Sequence, residues 1–576
     1  MQPGKSYLIG LNGLTAKKMK CMQCSVFVEK WNSNPSRSSS LFAACSACML
    51  SYRVKMMTIL YSLKRLLYYC KQHQKGFYYT KNNIAMRKGS NLIILIAMLF
   101  LYPVTVHAKE NAMSPYHATK LWYNKLIATA KPDIAKLRFF FTLMPKGGDI
   151  HQHFTGSLYA ENYLDWINKE GYWINKTDFT VITPKDTSKL QDTVSVKNLR
   201  SNKVMYSDFF SHWSDKDYAN HYHDALAPDV QFFNTFSYFS KIFNGNQKYY
   251  AEGIQVLKNR AENENVQYIE TMFVSPGYQK VDTAFDSIVR NGEINIEDKA
   301  FRATLDGFIS SVRNDTLFYS KVNQYRDLVN VCTRGIDDEN FKLRFQSYVS
   351  RNTTPSQFFS GLCAAFYEAD KNARVVGVNI VSSENDAIAL SDYKLHMQMF
   401  RYLKEIYPHI KTSMHAGELM TGMVLPEELK YHISDAVLVA GANRIGHGVD
   451  IVYETNALQT LSRMKSQNIP VEINLTSNDF ILGVKNEAHP VRLYTDFGVP
   501  IVISSDDAGV SRGSLTEEYV LLASRYRYSY DEIKQFVSNS INYSFMTTNE
   551  KKQGAELLQK KFDEFEHTIS TIMNKR

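Results

Sequence analysis

The feature that most constrains the fold is an alternation of short apolar runs with helical segments between residues 145 and 504. We predict eight strands, the first centred on Ile150 and the others at 266–274, 328–332, 375–381, 411–415, 444–447, 471–475 and 500–504. The helical segments include 118–141, 160–169, 249–262, 392–407, 457–467 and 489–497. Such an alternation is typical of a parallel α/β fold.

Eight βα units over about 360 residues predict a (β/α)8 TIM barrel. The barrel is expected to carry a large insertion after the first strand, at residues 155–265, and a helical C-terminal extension. A doubly wound sheet is the alternative. The sequence has no GxGxxG motif after a strand and no Walker A loop, so a nucleotide-phosphate cradle is not predicted.

Charge separates the first 108 residues from the rest of the chain. The whole chain carries +10 at pH 7, but residues 1–108 hold 15 Lys and Arg and one acidic residue, Glu29, for a net charge of +14. Residues 109–576, which we interpret as the catalytic domain, therefore carry −4. Because the positive excess lies outside this domain, no nucleic-acid partner is predicted.

Residues 86–108 have the three regions of a secretory signal peptide. A basic start at 86–88 precedes an apolar run at 92–101, and small residues lead to an expected cleavage after Ala108. The apolar run is shorter than the roughly 20 residues that span a bilayer, so we expect a secreted or periplasmic product without a stable membrane anchor. An uncleaved anchor is the alternative. Residues 1–85 are interpreted as a non-native or disordered upstream segment, with the true start at Met86.

Cysteine follows the same division. Two CxxC pairs, at 21–24 and 45–48, have a spacing close to that of a zinc ribbon. No strand or knuckle signal accompanies them, so we interpret the spacing as chance. Residues 109–576 contain only Cys332 and Cys363, and the sequence leaves open whether they form a disulfide.

Chemically capable side chains gather at the carboxyl ends of the predicted strands. His151 and His153 lie two positions apart on the first strand, so both point to the same face. The later strands contribute His415 and Glu418 at the fifth, His447 at the sixth, and Asp506 and Asp507 at the eighth. In a barrel these ends share one face, which is where active sites form.

Three histidines and an aspartate are nitrogen and oxygen donors that suit one Zn²⁺ ion with a water in an open position. The ion would lower the pKa of that water toward about 7. Glu418 can donate or shuttle a proton, and His447 can hold or deprotonate the water. Asp507 can accept a hydrogen bond from a substrate N–H. Together these groups predict hydrolytic attack on an sp² carbon.

Four motifs resemble the adenosine deaminase superfamily, and the resemblance extends over residues 140–560. They are MPKGGDIHQHFTGS, MHAGEL, RIGHGVDI and NLTSND…HPV…GVPIVISSDD. The most similar branch is the secreted adenosine deaminase-related growth factor type. The resemblance implies a (β/α)8 barrel, one zinc ion per chain, and conversion of adenosine to inosine and ammonia.

The resemblance also implies a role for each residue by its position. The zinc ligands would be His151, His153, His415 and Asp506. Glu418 would donate a proton to purine N1, and His447 would orient the attacking water. Asp507 would contact purine N7, and His153 is also counted among the substrate contacts.

Two positions depart from the pattern of the intracellular enzymes of the family. Thr155 stands where those enzymes have an aspartate that binds ribose, and Ser382 stands where they have a glycine that hydrogen-bonds the purine. Both are retained as substrate-binding residues, because the backbone N–H survives at Ser382. Trp166 and Trp173 in the insertion either supply a different ribose wall or belong to the core.

The leading hypothesis is a zinc-dependent deaminase whose partner is a small purine nucleoside, adenosine or 2′-deoxyadenosine. One alternative keeps the barrel and the metal but changes the substrate to another aminopurine, or to an unrelated amide or ester. Another is a signalling or binding homologue without activity. AMP is less expected, because no basic phosphate cluster lies beside the motifs. A homodimer is left open.

Overall fold

Eight parallel strands form one sheet, and each strand pairs with the next one along the sequence. We call them β1 to β8: Gly147–His153, Val266–Met272, Lys342–Ser350, Val375–Val381, Lys411–Ala416, Arg444–His447, Val471–Ile473 and Ile501–Ile503. The structure is a computed structural model that describes residues 113–574 apart from 187–190, 217, 219–225 and 244–246. The signal peptide, the upstream segment and the CxxC pairs lie outside the described residues.

The sheet closes on itself just after β8. Gln152 on β1 forms a parallel bridge with Asp506. The backbone N–H of Asp506 donates to the carbonyl of His151 at 3.0 Å, and the N–H of His153 donates to the carbonyl of Asp506 at 3.3 Å. Closure makes the sheet a (β/α)8 barrel, as the sequence predicts, and the doubly wound alternative is wrong.

Helices surround the barrel. Before β1 lie Pro115–Ile127 and Ile134–Leu143, and the connections from β2 to β8 contain Thr283–Asn291, Lys299–Arg313, Thr316–Cys332, Pro355–Lys371, Ala387–Ser391, Tyr393–Ile406, His432–Leu438, Ala457–Gln467, Leu475–Leu482 and Val491–Asp496. Short 3-10 turns lie at Glu428–Lys430, Val449–Tyr453 and Asn486–Ala488. After β8 come Leu515–Leu521, the π-helical turn Leu522–Tyr526, Tyr530–Asn542 and Thr548–Asn574, which form the predicted helical C-terminal region.

The insertion between β1 and β2 is confirmed as a separate group of elements. Its helices are Phe154–Ser157, Ala160–Lys169, Val196–Ser201, Lys203–Trp213, Pro228–Phe243 and Gln247–Asn263, and its three-stranded antiparallel sheet comprises Trp173–Asn175, Val181–Ile182 and Thr193–Ser195. Trp166 is buried in this group, where Tyr163 stacks on Phe239 at 4.4 Å between ring centroids. Trp166 therefore belongs to the core.

One predicted strand is wrong. Residues 328–332 end the helix Thr316–Cys332, whose buried residues Val322, Tyr325 and Val329 recur at helical spacing. The third strand is instead Lys342–Ser350, which the sequence analysis missed. Its charged residues Lys342 and Arg344 interrupt the apolar run that marks the other strands. The other seven strands lie within a few residues of their predicted positions.

Cys332 and Cys363 are both free and buried. Burial raises the pKa of the Cys332 thiol to about 12, so this thiol is protonated at neutral pH. Of the helices in the described part of the chain, none combines the length and apolar character that crossing a membrane requires.

The amino end of β1 depends on a glycine. Gly147 has φ +65°, and a Cβ at this position would lie 2.5 Å from Ser540 Oγ and 2.8 Å from the carbonyl oxygen of Val537. Gly147→Ala combines backbone strain with a clash, so we expect a loss of about 2–4 kcal/mol in the free energy of unfolding, measured by chemical denaturation. Gly171→Ala is the control, because Gly171 has φ +67° but nothing within 4 Å. A loss of about 1 kcal/mol is expected there. Equal losses in both variants would contradict the packing argument.

Candidate active site

Four metal-binding side chains meet at the carboxyl end of the barrel. His151 and His153 come from β1, His415 from β5, and Asp506 follows β8. The Nε2 atoms of His153 and His415 are 3.2 Å apart, and Asp506 Oδ1 lies 3.4 Å from the Nε2 atoms of both His151 and His153. The ligand atoms of all four residues lie within 4.8 Å of one another.

Partners on the far side of two of the three rings aim their inner nitrogens at the cluster. His151 Nδ1 lies 2.6 Å from Glu472 Oε2, and His415 Nδ1 lies 3.0 Å from Asn379 Oδ1. The inner atoms His151 Nε2 and Asp506 Oδ1 are buried and have no hydrogen-bond partner in the described part of the chain. Three imidazoles, one carboxylate and orphaned inner atoms fit a zinc ion with an open position. Glu472 and Asn379 were assigned no role from the sequence, because neither belongs to a ligand motif.

Glu418 follows β5 in a tight turn whose Gly417 has φ +76°. Its carboxyl is almost fully buried, and burial together with the charge of Asp506 raises the pKa of Glu418 well above its usual range. This shift favours the protonated form of Glu418, which is the form that a proton donor needs.

The turn that carries Glu418 is held by Glu384. Its two carboxylate oxygens accept the backbone N–H groups of Gly417 and Glu418 at 3.1 and 3.0 Å. His432 Nδ1 lies 2.6 Å from the same carboxylate, and a guanidinium nitrogen of Arg351 lies 3.5 Å away. The charges of Arg351 and His432 outweigh burial and lower the pKa of Glu384 to about 2. Sequence reasoning gave Glu384 no role, although it lies in the stretch that contains Ser382.

Asp507 stands beside the metal cluster with an unpartnered oxygen. Burial and the adjacent Asp506 raise the pKa of Asp507 well above its usual range, which favours the protonated form of its carboxyl. The carboxyl packs directly on Gly156, where a Cβ would lie 1.5 Å from Asp507 Oδ1. Only glycine therefore fits at position 156.

His447 lies against both the proton donor and the metal cluster. Its Nδ1 is 3.4 Å from Glu418 Oε1, and its Nε2 is 3.9 Å from Asp506 Oδ2. The residue has φ +65°, which is unusual for a side chain with a Cβ. Burial lowers the pKa of His447 to about 4, so the imidazole is neutral.

A cavity of about 480 Å³ opens onto these residues. It is lined by His153, Thr155, Phe232, Phe233, Phe236, Tyr348, Ser350, Asn352, Val381, Ser382, Ser383, His415, Glu418, His447, Asp506 and Asp507. Every residue proposed from the sequence for catalysis or substrate binding is among them. The three phenylalanines come from the insertion helix Pro228–Phe243 and were missed, because they do not differ in sequence from core aromatics.

The insertion helix is tied to the barrel at the mouth of the cavity. Asn385 Nδ2, just after β4, donates to Asp229 Oδ2 at 2.9 Å. Among the other lining residues, the hydroxyl oxygens of Ser350 and Ser382 lie 2.7 Å apart. Ser382 has φ +81°, so the serine adopts the backbone conformation that favours glycine. The lining of the cavity thus includes three phenylalanines and a pair of neutral hydroxyl groups.

Asn379 offers a test of the metal site. Asn379→Leu removes the acceptor that orients His415, and we expect metal affinity to fall by about 10–100-fold in a competition titration with a chromogenic chelator. Asn539→Leu is the control, since Asn539 is a buried amide that donates to Ile501 at the opposite end of β8. It should lower stability but leave metal affinity unchanged. An equal loss of affinity in both variants would show that orientation of His415 is not responsible.

Comparison with known proteins identifies the family. The family model described as adenosine deaminase matches residues 328–561. The chain is 33% identical over 156 residues to the adenosine deaminase of Enterococcus faecalis. The aligned region covers 27% of this chain and 42% of that protein. It is 29% identical over 199 residues to the adenosine deaminase of Clostridium kluyveri, covering 34% and 50%. The chain thus spans about half the length of the curated relatives it matches.

Among solved structures, the N6-mAMP deaminase of Arabidopsis is similar to this chain with a TM-score of 0.48 and 18% sequence identity. The alignment covers 73% of this chain and 99% of that chain. The matched range of the family model contains His415, Glu418, His447 and the Asp506–Asp507 pair. Barrel closure adds the two histidines of β1, which precede that range, to the same cluster. Over residues 328–561, which is less than half of its length, the chain is similar to the adenosine deaminase family.

Proposed function

We propose that this chain catalyses the zinc-dependent hydrolytic deamination of adenosine and 2′-deoxyadenosine, releasing ammonia and the corresponding inosine. The observation that carries the proposal is the convergence of three kinds of group on one cavity. Three of the four metal donors, together with Glu418 and Asp507, line the same 480 Å³ cavity. The fourth donor, His151, completes the metal cluster, and the pKa values of Glu418 and Asp507 are both raised well above their usual range. Deamination of a purine at C6 needs each of them.

The roles follow from the protonation states. A bound zinc ion supplies a Lewis acid that lowers the pKa of a water molecule. Glu418 donates its proton to purine N1, which makes C6 electrophilic. The protonated Asp507 donates to purine N7 and fixes the plane of the base, and His447 orients the attacking water. Water adds at C6, and its proton passes to the carboxylate that Glu418 has become after protonating N1. Glu418 hands this proton to the amino group, which leaves as ammonia, and the hydroxyl proton at C6 returns to Glu418 as the carbonyl of the product forms.

The lining of the cavity favours a neutral substrate. Its acidic side chains are Glu418, Asp506 and Asp507, and none of the described residues that line it is Lys or Arg. A 5′-phosphate would therefore meet carboxyl groups without a compensating cation, which costs several kcal/mol. The hydroxyl groups of Ser350 and Ser382 suit the polar, uncharged sugar of a nucleoside.

Three finer expectations remain part of this proposal. Membership of the secreted growth factor branch rests on the four motifs within residues 140–560. Export of the chain rests on the sequence of residues 86–108, which lie outside the described part of the structure. A homodimer is likewise a prediction.

The activity is tested with the full 576-residue chain loaded with zinc. Adenosine should be converted to inosine, followed by the fall in ultraviolet absorbance, and a chelator should abolish turnover until zinc is restored. Glu418→Gln should lower kcat by at least about 10²-fold, because the amide cannot protonate N1. Glu427→Gln, an exposed change in the segment after β5, should have no effect. Absence of turnover by the zinc-loaded chain would overturn the proposal.

Substrate charge is tested by comparing adenosine with AMP. We expect kcat/KM for AMP to be lower by at least about 10²-fold, because no described cavity residue neutralises the phosphate. The dimethyl phosphotriester of AMP is the control, because it keeps the bulk of the phosphate group without its charge. If the neutral ester is rejected as strongly as AMP, size and not charge sets the preference.

A further inference from the structure

The segment after β7 carries two buried polar residues that the deamination chemistry does not use. Asn478 lies in the helix Leu475–Leu482, and His489 follows the 3-10 turn Asn486–Ala488. Both side chains are at most 3% exposed. They belong to the NLTSND…HPV stretch, yet neither of them lines the cavity. Buried polar groups away from substrate need another reason to be there.

The two side chains form a hydrogen-bonded chain that ends on His447. The backbone N–H of Val491 donates to His489 Nδ1 at 3.2 Å. His489 Nε2 lies 3.0 Å from Asn478 Oδ1, and Asn478 Nδ2 lies 3.0 Å from His447 Nδ1. Asn474 Nδ2 approaches the same nitrogen of His447 at 3.5 Å.

The donor and the acceptor of every hydrogen bond in this series follow from its first donor, the backbone N–H of Val491. A backbone N–H can only donate, so His489 Nδ1 must be an unprotonated acceptor. Burial and the charge of Arg525 lower the pKa of His489 to about 3, so the ring is neutral and its single proton is on Nε2. That proton points at Asn478 Oδ1, which leaves the amide N–H₂ of Asn478 facing His447.

We propose that this hydrogen-bonded relay, from the Val491 N–H through His489 to Asn478, fixes His447 as its Nε2–H tautomer. His447 then donates a hydrogen bond to the attacking water and is not its general base. Because His447 Nδ1 accepts from Asn478, that nitrogen is unprotonated and the proton of the ring is on Nε2. Nε2 is the nitrogen that faces Asp506 and the metal cluster. The role in catalysis rests on the proposed deamination, whereas the tautomer does not.

The tautomer also protects the proton donor. His447 Nδ1 lies 3.4 Å from Glu418 Oε1. A proton on Nδ1 would donate to Glu418 and favour its ionised form, which cannot protonate the substrate. With Nδ1 occupied as an acceptor, no such donor faces Glu418 from His447. Asn478 and His489 are therefore positioning residues that act through His447.

The tautomer is read directly by nitrogen NMR of the full, zinc-loaded chain labelled with ¹⁵N-histidine. The His447 signals are assigned by their loss in His447→Gln. We expect Nε2 of His447 to be protonated and Nδ1 unprotonated at neutral pH. A proton on Nδ1, or on both nitrogens, would overturn the proposal. This measurement needs no turnover, so it separates failure of the relay from failure of the proposed function.

Asn478→Asp reverses the relay at nearly constant volume, because a carboxylate only accepts. We expect the proton of His447 to move to Nδ1 and kcat for adenosine to fall by at least about tenfold, with KM and zinc content nearly unchanged. Asn539→Asp is the matched control: it changes another buried amide to an acid at the far end of β8, and should leave kcat unchanged. Retention of kcat by Asn478→Asp would contradict the proposal.

His489 gives a second pair of variants. His489→Gln keeps an N–H donor for Asn478 and should retain most of kcat and the Nε2–H tautomer. His489→Leu removes the donor, frees the Asn478 amide to rotate, and should lose both. If the two variants lose kcat equally while both remain folded, His489 acts through packing and the relay is wrong.

Discussion

The hydrogen bonds that close the barrel between β1 and the segment after β8 are the interaction on which the site depends. They join Asp506 to the backbone of His151 and His153, residues more than 350 positions away in the chain. Without closure the aspartate would have no fixed relation to the two histidines. Closure therefore does two things at once: it removes the sheet edges and it assembles the ligand set.

Three of the four histidines at the site are oriented by a side chain at the outer nitrogen. Glu472 binds His151, Asn379 binds His415, and Asn478 binds His447. One of these partners is a carboxylate and two are neutral amides. Glu472 also accepts from Arg444 and Ser413 inside the barrel, so its negative charge is balanced where water is absent. The partner of His447 is the neutral amide of Asn478, which orients the ring without placing a charge beside it.

The sequence predicts the barrel and the reactive groups well, because both have local signatures. Apolar strand runs and polar residues at strand ends placed the whole ligand set. The missed elements lack such signatures. In the strand Lys342–Ser350, charged residues interrupt the apolar run by which the other strands are recognised. Glu384 does not differ in sequence from other acidic residues, and only the structure shows its two hydrogen bonds to the turn that carries Glu418. Asn379 acts through His415 and His489 acts through Asn478, and the fold brings each of these pairs together.

Three non-glycine residues with positive φ lie at strand ends around the cavity: Ser382 at +81°, His447 at +65° and Asp506 at +53°. Each such conformation costs of order 1–3 kcal/mol unless the surrounding structure imposes it. Here the surroundings do so through bonds already described, to Ser350, to Asn478 and to the β1 backbone. Strain is thus concentrated where side chains must leave the barrel wall and turn toward one point. A closed barrel can sustain it, because no strand end can relax without breaking its neighbours' pairing.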